Sequence, residues 1–412
     1  MTSLGNIQIT PVASLTFISW TTGAILYITG DAQNHFPPSS YAIMPFQHTL
    51  TTIRATGYIF VADALPIRQR AGTEESYSRY SPPIRYLAEE AVEKGLVLFQ
   101  ESGTSGAPKI EATLAKIVTH SQDIATFTWE VDVGASGEGR KMEVEPGQAV
   151  IMDFAPLIGP QQYVHMAPYK PSSVNDDRMR TWTVSSSASS LSANQGGGKG
   201  TFEITVKEKP GGAVTGALFA ITRKLQQFRP ELLKDARGMG LKIGIVGVVG
   251  DFVLPDGSGA KKMLWIAGGI GVTPFLAMLN GLGTKASDDA DDGGYDIHLI
   301  LSTREPAVVL HLLSTAMSSL CAGAGSSRHQ FTLDVFSHKS IPAVDGPESI
   351  ILRRHEGRPD QDILQRIVIE GDAKDRKVYV CGPPAFEKIV FRALRRVDGV
   401  DAGRVKREGF GY

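Results

Sequence analysis

The sequence predicts a multi-domain chain of mixed α and β structure: a short β-rich module, then an antiparallel β-barrel, then a doubly wound parallel α/β domain. Three observations predict it. Short strand-like runs separated by turn residues fill the stretch from about 109 to 235, as in a barrel or sandwich. After 240 apolar strand runs alternate with amphipathic helices, the grammar of a mostly parallel sheet. The first 65 residues are β-patterned and are set apart by PIRQRAGTEESYSRYSPPIRY, a polar, proline-bearing linker. The expected division is a β-rich module at 1–65, a linker with a short helix at 66–104, the barrel at 105–235 and the α/β domain at 236–412. A chain of 412 residues is long enough for two or three domains.

Each element has its own signal. SLTFISW and AILYITG read as two β-runs around a glycine turn, and TTIRATGYIFVADAL continues the pattern. YLAEEAVEKGL has helical spacing. Barrel strands are expected at PKIEATLAKIV, ATFTWEVDV, QAVIMDF, MRTWTVSS and FEITVKE, followed by a helix ALFAITRKLQQF with Leu218, Ile221, Leu225 and Phe228 on one face. KKMLWIAGG, DIHLILST, FTLDVFS and KVYVCG are buried strands, TPFLAMLNGLG is a helix closed by glycine, and AFEKIVFRALRRV is strongly amphipathic. The stretches 185–200, 284–294 and much of 339–362 read as insertion loops, because their composition cannot support a packed core.

Composition narrows the function. The apolar share of 42% and charged share of 21% belong to a globular protein with sizeable cores. A formal net charge of −1, without a dense basic block, gives no reason to expect nucleic acid or an anionic membrane as partner. Cys321 and Cys381 are the two cysteines, too few for a disulfide scaffold or a self-contained iron–sulfur cluster. They fit a reducing, cytoplasmic setting. The uncharged first thirty residues lack the basic start of a signal peptide. Their many Ser and Thr also break the run of about 20 apolar residues that a spanning helix needs. The nine histidines form no spaced metal pair, and no metal is expected.

Four motifs carry chemistry. In LWIAGGIGVTPFLAML a buried strand enters Gly268-Gly269-Ile270-Gly271 and a helix begins near Pro274, so backbone amides and a positive dipole end face one point. By itself such a turn is a weak sign of a nucleotide site. In Arg180-Thr181-Trp182-Thr183-Val184-Ser185, alternation puts Arg180, Trp182 and Val184 on one face and the three hydroxyls on the other. Gly211-Gly212-Ala213-Val214-Thr215 opens a helix, where Thr215 or the glycines cap it and leave amides for a phosphate. In YVCGPPAFEKIV a strand ends at Cys381, at the mouth where ligands bind in parallel sheets; alone, such a cysteine is more often a small buried hydrophobe.

In this order RTWT, GAVT, GGIGVTP and CGPP, with the terminal REGFGY, resemble the ferredoxin-reductase superfamily over roughly 105–412. EPGQAVIMDF and VVGDFVLP look like the family's barrel strand and its entry to the second domain. The resemblance implies an FAD-binding barrel and an NAD(P)-binding α/β domain. Arg180 would pair with the flavin phosphates, a task suited to a guanidinium fork. Trp182, where the family usually has tyrosine, would stack on the isoalloxazine, and Thr183 would donate to the hydride-accepting nitrogen. Gly212, Ala213, Val214 and Thr215 would cradle the pyrophosphate. Gly269, Gly271 and Thr273 would hold the nicotinamide nucleotide, with Cys381 and Gly382 beside its reactive carbon. Glu408 and Phe410 resemble the family's terminal site residues, and Tyr412 would cover the flavin. Arg304 is either a contact to the adenosine end or an ordinary solvated charge.

Residues 1 to about 65 resemble the later strands of a split barrel of the pyridoxamine-phosphate-oxidase or flavin-reductase type, short enough to be a remnant or to complete itself by dimerising. The implied activity is an oxidoreductase that moves hydride from NAD(P)H to FAD and electrons on to an acceptor the sequence does not name. A reductase component serving a separate haem or iron–sulfur partner uses the same motifs. A flavin-binding scaffold with little activity is the reading of another class.

Overall fold

The computed structural model describes the chain apart from residues 1, 71–72, 74–77, 79, 82–84, 94, 99–109, 133–141, 160–166, 168, 170, 187–198, 255–260, 286–293, 322–328, 344–349 and 409–412. Two compact units result: one is 1–93 with 100–107 and 162–176, the other is 94–99, 108–161 and 177–412.

The first unit opens with α1 (Thr2–Ile9), then β1 (Val12–Ile18), β2 (Ile25–His35), α2 (Ser39–Ile43), β3 (Leu50–Val61) and α3 (Ala88–Glu93). The strands form an antiparallel sheet in the order β1-β2-β3, with Ser14 opposite Thr29 and their hydroxyls 2.8 Å apart. The hairpin and third strand fall where alternation put them, whereas α1 had no sequence signal.

The second unit begins with β4 (Val97–Leu98), β5 (Ile110–Thr119), β6 (Ile124–Asp132), β7 (Ala149–Asp153), α4 (Ala155–Ile158), β8 (Met179–Thr183), β9 (Lys199–Lys207), α5 (Ala213–Phe228), α6 (Glu231–Lys234) and β10 (Lys242–Val249). These strands make an antiparallel sheet ordered β8-β7-β10-β5-β6-β9, with β4 on β10. A bridge between Val184 and Ile204 joins the two ends and closes the sheet on itself. Closure leaves one interior, filled by Phe127, Trp129, Phe154 and Phe202. Helix α5 plugs it with Val214, Leu218, Phe219 and Leu225, Phe219 meeting Phe127 edge-on at 6.0 Å. Phe228, expected on that face, is 68% exposed, because the helix ends there, past the mouth of the barrel. Strand β10 belongs to this sheet although it lies after residue 235, so the barrel's last strand sits within the stretch expected to be α/β.

The rest alternates as expected: β11 (Lys262–Gly268), α7 (Thr273–Lys285), β12 (Asp296–Ser302), α8 (Pro306–Cys321), β13 (Gln330–Ser337), β14 (Ile350–Glu356), α9 (Gln361–Glu370), β15 (Lys377–Cys381), α10 (Pro384–Leu394) and β16 (Lys406–Glu408). The six strands are parallel in the order β14-β13-β12-β11-β15-β16, with one apolar cluster on each face. Part of the stretch expected as an insertion loop at 339–362 is ordered differently: β14 is an edge strand with only one covered face, and Asp360 caps α9 by accepting the Ile363 amide at 2.8 Å. Its charged run IILRRHE hid a strand because edge strands tolerate charge. The other two expected loops lie mostly outside the described residues. Among the described residues no helix is long and apolar enough to cross a membrane.

Phe127→Ala tests the barrel core. Emptying this fully buried site costs about 3–5 kcal/mol, read as a lowered unfolding midpoint in denaturant. A loss below about 1 kcal/mol would mean the interior is not packed through Phe127.

Candidate functional site

In the parallel sheet, successive strands β11 to β14 run one way from β11, and β15 with β16 lies on its other side. The strand order therefore reverses between β11 and β15, and a crevice opens at their carboxyl ends, where ligands bind in such sheets. Ala267 pairs with Cys381 across it, and Cys381 pairs with Glu408 on the next strand. The two glycine-bearing turns meet there: a side chain on Gly271 would strike the Cys381 carbonyl, and one on Gly382 would strike the ring of Phe386. Gly269 has φ +57° with open space beside it, so it turns the chain where L side chains are strained and leaves room for a ligand to approach the backbone.

The turn Gly269–Val272 leads straight into α7, whose first amides face the crevice end of the sheet. Thr273 is buried and its hydroxyl donates to the Ile270 carbonyl at 3.1 Å, so it braces the turn. Barrel strand β9 packs against this turn, and the Asn280 amide of α7 donates to the Ser185 carbonyl at 3.1 Å. Gln148 of the barrel donates to the Gly250 carbonyl at 3.1 Å, and Gly250 lies beside the Glu408 carboxylate. The end of β8 is thereby tied to the crevice.

Thr183, at the end of β8, is 4% exposed and its hydroxyl has no partner; the Thr181 hydroxyl on the same face is likewise buried and unpartnered. The next residue of that face, Ser185, is satisfied by Thr205 at 3.0 Å. Leaving a buried hydroxyl unsatisfied costs about 1–3 kcal/mol, so Thr183 and Thr181 fit a site completed by a polar ligand. Trp182 is half-buried and meets the ring of Phe154 at 5.2 Å and 86°, which fixes the indole from the barrel side. Arg180 donates to the Met179 carbonyl at 2.6 Å. The antiparallel sense of the Val184–Ile204 bridge carries Arg180 toward the end of β9 that leads into α5. At that end Gly212 caps α5 without a side chain, leaving the first-turn amides of Ala213, Val214 and Thr215 unopposed by one, while the Thr215 hydroxyl accepts the Lys209 amide at 3.1 Å.

Electrostatics at the strand ends are unusual. Burial, then the negative charges of Asp251 and Glu387, push the Glu408 carboxyl up to about 8. Burial, then Glu408 and Glu387, push the Cys381 thiol up as well, so it stays neutral. Sequence reasoning missed Glu387 and Asp251, since Glu387 meets its partner Arg407 only through folding. Arg304 stands exposed just after β12. Phe410 and Tyr412 lie outside the described residues.

No protein-family model matches the chain. A flavohemoprotein of Rhodopirellula baltica is 31% identical over 182 residues, 43% of this chain and 39% of that protein. The glycine betaine monooxygenase reductase subunit of Chromohalobacter salexigens is 28% identical over 243 residues, 57% of this chain and 51% of that one. Sequence relatives include flavohemoproteins and a monooxygenase reductase subunit. The chain spans about half or less of their length. A cytochrome P450 reductase of Amycolatopsis is 17% identical over an alignment covering 75% of this chain and 72% of that one, with TM-score 0.43. The order found here, closed antiparallel sheet before parallel sheet, is the order the ferredoxin-reductase resemblance implied.

The Glu408 carboxyl sets a pH dependence. Its value in the fold lies above the ordinary carboxylate value, so the folded chain holds a proton that the unfolded chain releases. The stability this proton contributes is complete below about pH 4.5 and is lost as pH rises toward 8. Glu408→Gln flattens that decline, seen as urea midpoints at pH 5 and pH 8 that converge relative to the parent. An unchanged slope in the variant would assign the decline elsewhere.

Proposed function

We propose that the chain is an FAD-dependent oxidoreductase that takes hydride from NAD(P)H and passes electrons to an acceptor. One observation carries this reading: the reversal of strand order between β11 and β15 brings two glycine turns together beside Cys381, within the unit that also holds the unsatisfied Thr183 hydroxyl. When bound, flavin and nicotinamide supply the hydride chemistry, while the protein supplies position and electrostatics.

The residues divide the work by their chemistry. Amides of the turn Gly269–Val272 and the start of α7 suit a nucleotide pyrophosphate, and those of Ala213, Val214 and Thr215 suit a second one, with Arg180 as counter-charge. The Thr183 Oγ1–H is the donor for a ring nitrogen, and Trp182, held by Phe154, offers an aromatic face. Cys381 is fully buried in the apolar cluster at the end of β15 and neutral, so it serves as packing beneath the crevice and not as a nucleophile. Glu408 holds a proton at neutral pH beside Cys381, and a carboxylic acid so placed can give it to a reduced acceptor. The adenosine end of the nucleotide falls to Arg304 in this reading.

A reductase component for a separate haem or iron–sulfur partner is favoured by the likeness to the Chromohalobacter monooxygenase reductase subunit and by the two cysteines here, too few for a cluster. A cytoplasmic setting accords with both readings. The third, a flavin-binding scaffold with little activity, shares the barrel and differs in turnover.

The visible spectrum of the purified protein is the direct test. Flavin bands that bleach on anaerobic addition of NADH or NADPH support the enzyme and choose the donor. Thr183→Val slows bleaching about 10- to 100-fold, the worth of one lost hydrogen bond, without removing the flavin, and a protein that stays colourless after incubation with FAD sinks the reading.

The partner reading includes a second copy of the chain, docked on the N-terminal sheet. Consecutive strand residues point to opposite faces, yet Tyr58, Ile59 and Phe60 of edge strand β3 are 77%, 64% and 61% exposed. Both faces of an edge strand are thus apolar and open, an arrangement suited to self-pairing. Sedimentation at micromolar concentration is expected to give a dimer that Phe60→Lys converts to monomer; a monomeric parent protein excludes this pairing.

A further inference from the structure

Outside the crevice, a groove of about 510 Å³ runs between the outer face of α10 and edge strand β16. Pro384, Glu387, Lys388, Phe391, Arg392, Arg395 and Arg407 line it. The α10 residues recur three and four apart, so they form one stripe of the helix. Four cations face one carboxylate. That carboxylate is already engaged: Arg407 donates through Nε at 2.7 Å and Nη2 at 2.6 Å to a single oxygen, Oε2 of Glu387. Glu387 is 3% exposed and its other oxygen, Oε1, has no hydrogen-bond partner. Arg392 and Arg395 have neither an ion pair nor a side-chain hydrogen bond among the described residues.

Basic residues late in a helix complement its dipole, and that accounts for some of this charge. It does not account for Arg407, which reaches the groove from another element and neutralises the one carboxylate there. Nor does it explain why the cations surround a concavity of the volume that small ligands occupy. An apolar guest would meet the charged Arg392 and Arg395 side chains without pairing them. An extended macromolecular surface would not need the concavity.

We propose that this groove binds a small polyanion, a phosphoryl or polycarboxylate compound, through Arg392, Arg395 and Lys388, with Arg407 and Glu387 forming the polar back wall. Guanidinium forks match the planar oxygen pairs of both anion types. The site does not depend on the redox reading, because Arg392, Arg395 and Lys388 line the groove and take no part in the crevice; Glu387, whose charge reaches both, is left unchanged in the test.

The test is calorimetric titration of the full-length protein with inorganic pyrophosphate and, separately, citrate, at low and at physiological salt. The parent protein is compared with the Arg392→Ser/Arg395→Ser double variant, whose exposed substitutions leave the fold intact. A saturable event with one anion per chain, weakened roughly tenfold or more in the variant, supports the site. Tighter pyrophosphate assigns phosphoryl ligands, and tighter citrate assigns polycarboxylates. Binding equal in parent and variant places the anion elsewhere, for instance at the crevice, and overturns the proposal. No saturable binding of either probe overturns it too. Flavin content and NAD(P)H oxidation are expected to be the same in both proteins, which separates failure of this site from failure of the redox reading.

Discussion

The parallel pairing of β11 with β15 is the contact on which the rest of the site depends. These strands adjoin in the sheet but are far apart in sequence, and their pairing sets Ala267 beside Cys381. It is possible at this closeness only because Gly271 carries no side chain against the Cys381 carbonyl and Gly382 none against Phe386. With both turns drawn together, the carboxyl ends of the strands form a crevice floored by backbone, where amides can reach a ligand. β16 then adds to β15 and brings Glu408 level with Cys381. Burial first, and then the carboxylates that this pairing brings close, raise both groups.

The barrel serves the same crevice from the other side. A closed sheet has few free edges, and the Val184–Ile204 bridge that completes it lies immediately after Thr183. The last residues of β8 are therefore fixed by closure, by Gln148 reaching Gly250 and by Asn280 reaching Ser185. A hydroxyl left unsatisfied in so constrained a place is costly, and a polar ligand that pairs with it removes that cost. Trp182 illustrates the same division: its inner side packs on Phe154 as core, and only its remaining surface is offered outward.

Buried charge elsewhere in the parallel sheet is handled by complete pairing. Asp334 is fully buried; burial alone would raise its carboxyl, yet hydrogen bonds from His298 and His355, each 2.6 Å, hold it below the ordinary range. Glu387 differs in having one oxygen paired and one not. The contrast within one sheet is between a carboxylate held through both oxygens and one held by a guanidinium through a single oxygen.

Local pattern determined much of this protein. Period-two runs placed β1, β2, β3 and the barrel strands, and strand–helix alternation with its glycine turns placed β11, α7, β15 and α10, since these signals live within a few residues. The motif order was equally legible, and so were Thr183 and Cys381 as candidates. Other features were decided only by tertiary contacts. β10 falls on the α/β side of the boundary expected at 235 and pairs in the barrel, because an apolar run does not say which neighbours it pairs with. β14 was hidden by the charges an edge strand tolerates, and Phe228 looked like core until the barrel mouth ended short of it. The shifted acidities of Glu408 and Cys381 and the Glu387–Arg407 pair have no sequence signal at all. They arise from desolvation and from charges brought together across strands, quantities that do not exist until the chain has folded.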